Sequence, residues 1–224
     1  MVRDSASALR RMPRRNRVDP WGDPHSVSPR GLLTGNRGCL VDHEGELVRH
    51  HNGNLWITCR TQFKDWKHPL AKPRTWTPLF FLDDAVALAA GHRPCGLCRR
   101  SDYEDFRDAI SSTLNSGHRL LAPELNGRIA AERYRGGRGM VRADDRILVP
   151  VQLDDLPAGA IIIETATRVP LLVTDSHLQE FSFAGWGPPA ERPSGLTVNV
   201  LTPPTSIDAL KNGFVPMLHP SAHS

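Results

Sequence analysis

A chain of 224 residues with 39% hydrophobic content can bury a core without disulfide staples, and its length suits one large domain or two small ones. No stretch approaches the roughly 20 apolar residues of a membrane span, and the Arg-rich start lacks the apolar core of a signal peptide, so the expectation is a cytoplasmic protein with no membrane partner. The formal net charge of +4 and pI near 9.1 lean toward anionic partners, although the distribution of charge says more than the total.

Residues 1–17 carry Arg3, Arg10, Arg11, Arg14, Arg15 and Arg17 against Asp4 alone, with no hydrophobic period. They read as a disordered basic arm, either phosphate-binding or merely solubilising. Short apolar runs at 38–42, 46–49 and 54–59 predict three strands of a small meander, the first two joined by a turn at His43-Glu44-Gly45. Residues 60–75 form a basic loop containing Arg60, Lys64, Lys67, Lys72 and Arg74, with Asp65 as the only acid, Phe63 and Trp66 interleaved, and Pro69 and Pro73 as breakers. A strand over 77–82 then leads into Asp83-Asp84, an N-cap signal for an Ala-rich helix over 85–90 that stops at Gly91.

Beyond Ser101 the spacing of Tyr103, Phe106, Ile110 and Leu114, opposite Asp102, Glu104, Asp105 and Asp108, predicts a second helix. A third, 123–134, has Pro near its start and runs into Gly136-Gly137-Arg138-Gly139. From Arg146 the texture is β-like, with strands expected at 146–153, 160–166, 170–173, 178–183 and 196–201, and a last helix at 206–212 ended by Gly213. The expected class is α+β: a small β-meander plus helices over residues 18–145, followed by a C-terminal antiparallel β region over 146–224.

The strongest chemical signal is the run from Ala87 to Arg100, in which Cys95-x-x-Cys98 lies beside Arg93, Arg99 and Arg100. In a reducing compartment four cysteines are better explained as ligands or buried thiols than as two disulfides. A Cys-x-x-Cys turn presents two thiolates, and a distant pair closes a zinc tetrahedron. Cys59, ending the third predicted strand, and Cys39, opening the first, would both project from one edge of the meander if those strands are neighbours. The expected metal set is therefore Cys39, Cys59, Cys95 and Cys98, with zinc as the cofactor. His43, His51, His68 or His92 is the alternative to Cys39.

These residues carry a resemblance. Asp84-Ala85, then Ala89-Ala90-Gly91-His92-Arg93-Pro94-Cys95-Gly96-Leu97-Cys98-Arg99, resembles the second half of the Ada-type zinc-binding domain, the methylphosphotriester-repair module of bacterial DNA alkylation response proteins, and Ile57-Thr58-Cys59-Arg60 resembles that domain's strand bearing its first Cys-Arg. The likeness covers about residues 56–100. It implies a zinc thiolate site beside DNA phosphate, with Cys59 matching the methyl acceptor and thus the catalytic residue if methyl transfer occurs. Phe63 stands where the family has its second cysteine, and the helix-turn-helix that usually follows is not recognisable.

Other chemistries fit less well. Pro94-Cys95-x-x-Cys98 also matches half of the zinc deaminase signature, but the upstream His43-Glu44-Gly45-Glu46 has the wrong spacing and sits in a turn. A metal-assisted hydrolase or nuclease would draw on His50-His51 or His118 with Asp83-Asp84 or Glu132, yet adjacent histidines on a strand face opposite ways. There is no Gly-x-Ser-x-Gly elbow and no phosphate loop. Gly35-Asn36-Arg37-Gly38 and Gly136-Gly137-Arg138-Gly139 read as turns before they read as anion nests.

Zinc closure would gather Arg60, Lys64, Lys67, Lys72, Arg74, Arg93, Arg99 and Arg100 around the metal, with Trp66 placed to stack on bases and Arg128, Arg133 and Arg135 extending a basic stripe. The leading expectation is a zinc-binding protein that contacts nucleic acid, DNA rather than RNA, in repair or regulation. A zinc-dependent enzyme with an open metal position and a structural or protein-interaction module are the alternatives.

Overall fold

Residues Leu33–Asn36 and Ile57–Arg60 pair antiparallel at close range because Gly35 has no side chain: a Cβ there would lie 2.2 Å from the Ile57 carbonyl oxygen. They are β3 and β4 of a computed structural model that describes residues 14–44, 46–65, 75–114, 119–134 and 145–223. With β1 (Arg17–Val18), β2 (Pro24–His25), β5 (Leu79–Phe81) and β6 (Arg93–Pro94) they form a sheet of order β2-β1-β5-β3-β4-β6. The β1–β5 and β4–β6 pairs are parallel and the others antiparallel.

The meander predicted from 38–42 and 46–49 is not what forms. Those residues contribute an isolated bridge, Val41 to Leu47, around a turn in which Asp42 Oδ1 accepts from the backbone amides of Glu44 and Glu46. The strand beside β4 lies upstream, over 33–36, where Leu33, Thr34 and Gly35 are buried on both faces and so lack the alternation that marks a half-exposed strand. Of the predicted basic arm, residues 1–13 lie outside the described residues. Its last member, Arg17, is already in β1, its Nε donating to the Pro29 carbonyl at 2.7 Å and its guanidinium lying 4.7 Å from the Phe80 ring centre.

The helical middle follows the sequence closely. α1 (Asp84–Ala89) is buried throughout, α2 (Arg100–Thr113) buries Tyr103, Phe106, Ala109 and Ile110, and α3 (Ala122–Arg133) buries Leu125, Ile129 and Arg133. Together with α4 (Pro204–Lys211) they enclose a cluster in which Phe106 meets Phe214 edge-on, ring centres 5.2 Å apart. The C-terminal antiparallel sheet consists of β7 (Val149–Gln152), β8 (Ile161–Ile163), β9 (Pro170–Val173), β10 (His177–Ser182), β11 (Gly185–Trp186), β12 (Ala190–Glu191) and β13 (Thr197–Val200), in the order β11-β10-β9-β8-β13-β7 with β12 also on β10. Ile161, Ile163, Leu172, Trp186 and Leu201 join the same core cluster as Leu33, Phe81 and Val86, so the stretches on either side of residue 145 share apolar interior.

Asp83 fastens the two together. Its Oδ1 caps α1 by accepting from the Val86 amide, and its Oδ2 accepts from Trp186 Nε1 at 2.7 Å and from the His219 amide at 3.0 Å. Asp83→Ala strands these buried donors, at a cost of about 1–3 kcal/mol for each left unsatisfied. The expected result in urea denaturation is a lowered midpoint, with amide exchange accelerated at 217–223 ahead of the helices. Unchanged exchange in that segment contradicts the fastening role.

Candidate metal centre

An Ala-rich helix packs closely against its surroundings, and this one ends where Gly91 adopts φ +81°, its amide donating to Leu88 O while His92 N donates to Ala87 O. The chain then turns into β6 alongside β4, and the Cys95 amide donates to the Thr58 carbonyl at 2.9 Å. That parallel pairing brings the Cys-x-x-Cys turn to Cys59. The sulfurs of Cys59, Cys95 and Cys98 all lie within 4.8 Å of one another, the only group of three or more potential metal ligands among the described residues. Thiolates bound at about 2.3 Å to one tetrahedral ion stand about 3.8 Å apart, so the cluster suits a single metal ion with little movement.

The backbone prepares these sulfurs for negative charge. The Leu97 amide donates to Cys95 Sγ at 3.4 Å, and the amides of Cys98 and Arg60 favour the thiolates of Cys95 and Cys98 respectively. Hydrogen bonds from Cys59 and Cys98 hold the Cys95 thiol well below its ordinary value, while donating to Cys95 and burial push Cys59 up. Cys95 is buried, and Cys59 and Cys98 are half-buried, so the centre lies at an accessible edge.

Cys39 stands outside this group. β3 runs antiparallel to β4 with Thr34 opposite Cys59 and Asn36 opposite Ile57, so the chain beyond Asn36 travels away from the sulfurs, and the Cys39 thiol donates to Val41 O at 3.5 Å. The predicted adjacency of the strands bearing Cys39 and Cys59 is therefore replaced by that of β3 and β4. Of the alternative ligands, His43 is exposed beside Glu44, His51 lies 3.4 Å from His50 between their Nδ1 atoms, and His92 is wedged between Trp56 and Phe81; none belongs to the sulfur group. His68 lies outside the described residues, as does His118. The proximity of His50 and His51 corrects the expectation that they face apart, because 50–51 lies in a bend rather than a strand.

The basic residues divide sharply. Arg60 and Arg100, each exposed, stand one and two residues along the chain from Cys59 and Cys98, with Arg100 paired to Glu104 at 3.0 Å; Lys64 is also exposed, its ammonium 5.4 Å from the Phe63 ring centre. Trp66, Lys67, Lys72 and Arg74 lie outside the described residues. Arg93 and Arg99, expected on the surface, are 4% and 2% exposed. Arg93 donates to Asn126 Oδ1 and Pro94 O and lies over Tyr103. Arg99 forks onto both Asp84 oxygens at 2.6 and 2.7 Å and also donates to Thr58 Oγ1 and Asp102 Oδ2. In the proposed stripe Arg128 is exposed, Arg133 is buried, and Arg135 lies outside the described residues.

The carboxylates considered for hydrolysis have structural duties: Asp83 is the cap described above, Asp84 holds Arg99, and Glu132 accepts from the Thr205 amide and hydroxyl. Sequence reading missed a buried cluster of Arg37, Arg133, Arg146, His50 and His92 around Trp56 and Tyr134. Its one legible trace is Arg133 falling on the same helical face as Leu125 and Ile129. No protein-family model matches this chain, and neither a curated protein nor a solved structure is detectably similar to it.

Two outcomes follow from this geometry. Arg99→Met leaves the Asp84 carboxylate buried and uncompensated, a loss of about 3–5 kcal/mol in denaturant titration, whereas a change below about 1 kcal/mol is incompatible with the bracing described. Burial and Arg37 push His50 down to about 2 from 6.5, and burial lowers His92 and His51 as well. These histidines take up protons on unfolding, so their contribution is complete above about pH 6.5 and declines as the pH falls. Melting temperature measured from pH 8 to pH 4.5 is expected to drop on the acid side, with a shallower slope in His50→Gln; equal slopes contradict the assignment.

Proposed function

We propose that the protein holds one zinc ion on Cys59, Cys95 and Cys98 and uses this centre at a nucleic-acid surface, DNA in preference to RNA, in repair or regulation. The observation that carries the reading is the convergence of these three sulfurs within 4.8 Å at a half-buried edge, with backbone amides directed at them. Thiolate sulfur favours zinc over magnesium or calcium, and a structural zinc of this kind contributes roughly 10 kcal/mol to folding in small modules. Arg60 and Arg100 supply exposed positive charge beside the sulfur-bearing residues, with exposed Lys64 further along the same loop, and the Ada-type resemblance of 56–100 gives the same pairing of zinc thiolate with DNA phosphate. On that resemblance Cys59, the first in the chain of the three clustered sulfurs and a partly accessible one, is the methyl acceptor if transfer occurs.

One feature favours a second reading, a zinc-dependent enzyme. With Cys39 turned to Val41, three sulfurs leave a fourth coordination position to water or substrate.

Elemental analysis of purified protein is expected to give one zinc per chain, retained in Cys39→Ser and lost in Cys59→Ser, Cys95→Ser and Cys98→Ser. Zinc-free wild type overturns the proposal. Duplex DNA binding followed by anisotropy is expected to weaken with rising salt, and the triple variant Arg60→Gln, Lys64→Gln, Arg100→Gln lowers the salt slope by about 0.9 for each phosphate contact removed. An unchanged slope removes nucleic acid as the partner of this face. Hydrolytic turnover that depends on zinc and survives the triple substitution promotes the enzyme reading.

A further inference from the structure

Three arginines are withdrawn from solvent with no carboxylate of the described residues against them. Arg37 is 0%, Arg146 2% and Arg133 3% exposed, and among the described residues none of them is in an ion pair. Burial lowers the pKa of all three, yet a guanidinium stays charged: Arg37 falls only to about 10. The acids that act on Arg37 and Arg146, Asp19 and Asp23, do so across a distance, and Asp19 is itself bonded to His25 at 2.8 Å. A folded interior that gathers this much unneutralised positive charge sacrifices stability unless an anion joins it.

The charges converge on two aromatic rings. The guanidinium carbons of Arg133 and Arg37 lie 3.9 and 4.9 Å from the Trp56 ring centre, and that of Arg146 lies 5.2 Å from the Tyr134 ring centre. The rings of His92 and His50 lie 5.1 and 5.6 Å from Trp56, and the Tyr134 hydroxyl reaches His50 Nε2 at 3.0 Å. Part of this donor set is spent on backbone: Arg37 Nη2 on Gly22 O, Arg133 Nε on Gly91 O, and Arg146 Nη2 on Ala89 O and Leu201 O. Arg37 Nε and Arg146 Nε and Nη1 are buried without a hydrogen bond of good geometry, while the neutral His92 ring is left with only its contact to the Ala90 backbone. Buried donors left in this state are rare, and here they cluster with the unpaired charges.

We propose that this cluster is an anion site for a phosphate dianion, either free phosphate or the terminal phosphate of a monoester. Three guanidiniums call for more than one negative charge, which disfavours a carboxylate or a phosphodiester. Guanidinium forks also match the spacing of phosphate oxygens. His51 and Tyr134, at the edge of this cluster, are only half-buried. The site draws on Arg37 just after β3, the 50–56 loop, the end of α3 and Arg146 ahead of β7, and it uses none of the cysteines, so neither proposal stands or falls with the other.

The test uses the full wild-type chain in phosphate-free buffer, titrated with potassium phosphate, adenosine monophosphate, or potassium chloride at matched ionic strength. Calorimetry and phosphorus NMR are the readouts. The expected result is saturable one-to-one binding of phosphate or the monoester, a melting temperature that rises with their concentration but not with chloride, and at least tenfold weaker binding in Arg37→Gln and Arg146→Gln with Lys211→Gln unaffected. Phosphate alone identifies a free-ion site, and the nucleotide alone identifies a monoester site. Failure of the folded wild type to take up either ligand overturns the proposal even if the variants do not fold. Unaltered affinity in both arginine variants overturns it too, as does competition by duplex DNA lacking terminal phosphates.

Discussion

The sulfur centre depends on one buried fork. Arg99 joins α1 through Asp84, β4 through Thr58 and α2 through Asp102, and the same Asp84 accepts from the Met217 amide of the C-terminal segment at 2.9 Å. Because Arg99 directly follows Cys98 and Thr58 directly precedes Cys59, the single guanidinium fixes the distance between the two chain segments that carry the sulfurs. A buried ion pair adds little net stability compared with an apolar replacement, but its directional bonds restrict which arrangement can form. Here they restrict the one variable a tetrahedral metal site cannot tolerate being loose, the spacing of its ligands.

Each half of the chain serves this arrangement differently. The N-terminal sheet supplies Cys59 from β4, the strand next to its edge, and Cys95 from the turn after the edge strand β6. The C-terminal sheet contributes no ligand among the described residues, yet Trp186 and residues 217–219 bond to Asp83 and Asp84 and so close over the start of α1. The centre is therefore embedded in a larger core rather than being a freestanding zinc finger. The buried arginine cluster gathers around Trp56, directly upstream of β4, and gives the interior a second polar demand that sulfur chemistry does not meet.

Local signals were read well from sequence. The Asp83 cap, the Ala-rich helix and its Gly91 stop, and the stripe of Tyr103, Phe106 and Ile110 all follow from short-range pattern, while the grouping of Cys59 with Cys95 and Cys98 follows from the ligand count of a tetrahedral metal and not from any strand pairing. Non-local pairing was not legible. β1 and β6 are two-residue strands whose parallel partners lie far along the chain, which leaves no periodicity to detect. Misplacing the first strand at 38–42 put Cys39 on the wrong side of the meander, since register alone decides which end of β4 a neighbour reaches. Arg93 and Arg99 looked like surface cations because charge is ordinarily exposed; that Asp84 lies across from Arg99 and Tyr103 beneath Arg93 is tertiary information.

X-ray absorption at the zinc edge of the metal-loaded wild type tests the account most directly, because it counts sulfur neighbours without disturbing the fold. Three sulfurs at about 2.3 Å with one oxygen or nitrogen neighbour is the predicted shell. Four sulfurs would bring Cys39 into the site and contradict the β3–β4 register on which its exclusion rests, and a shell without sulfur would contradict the centre itself.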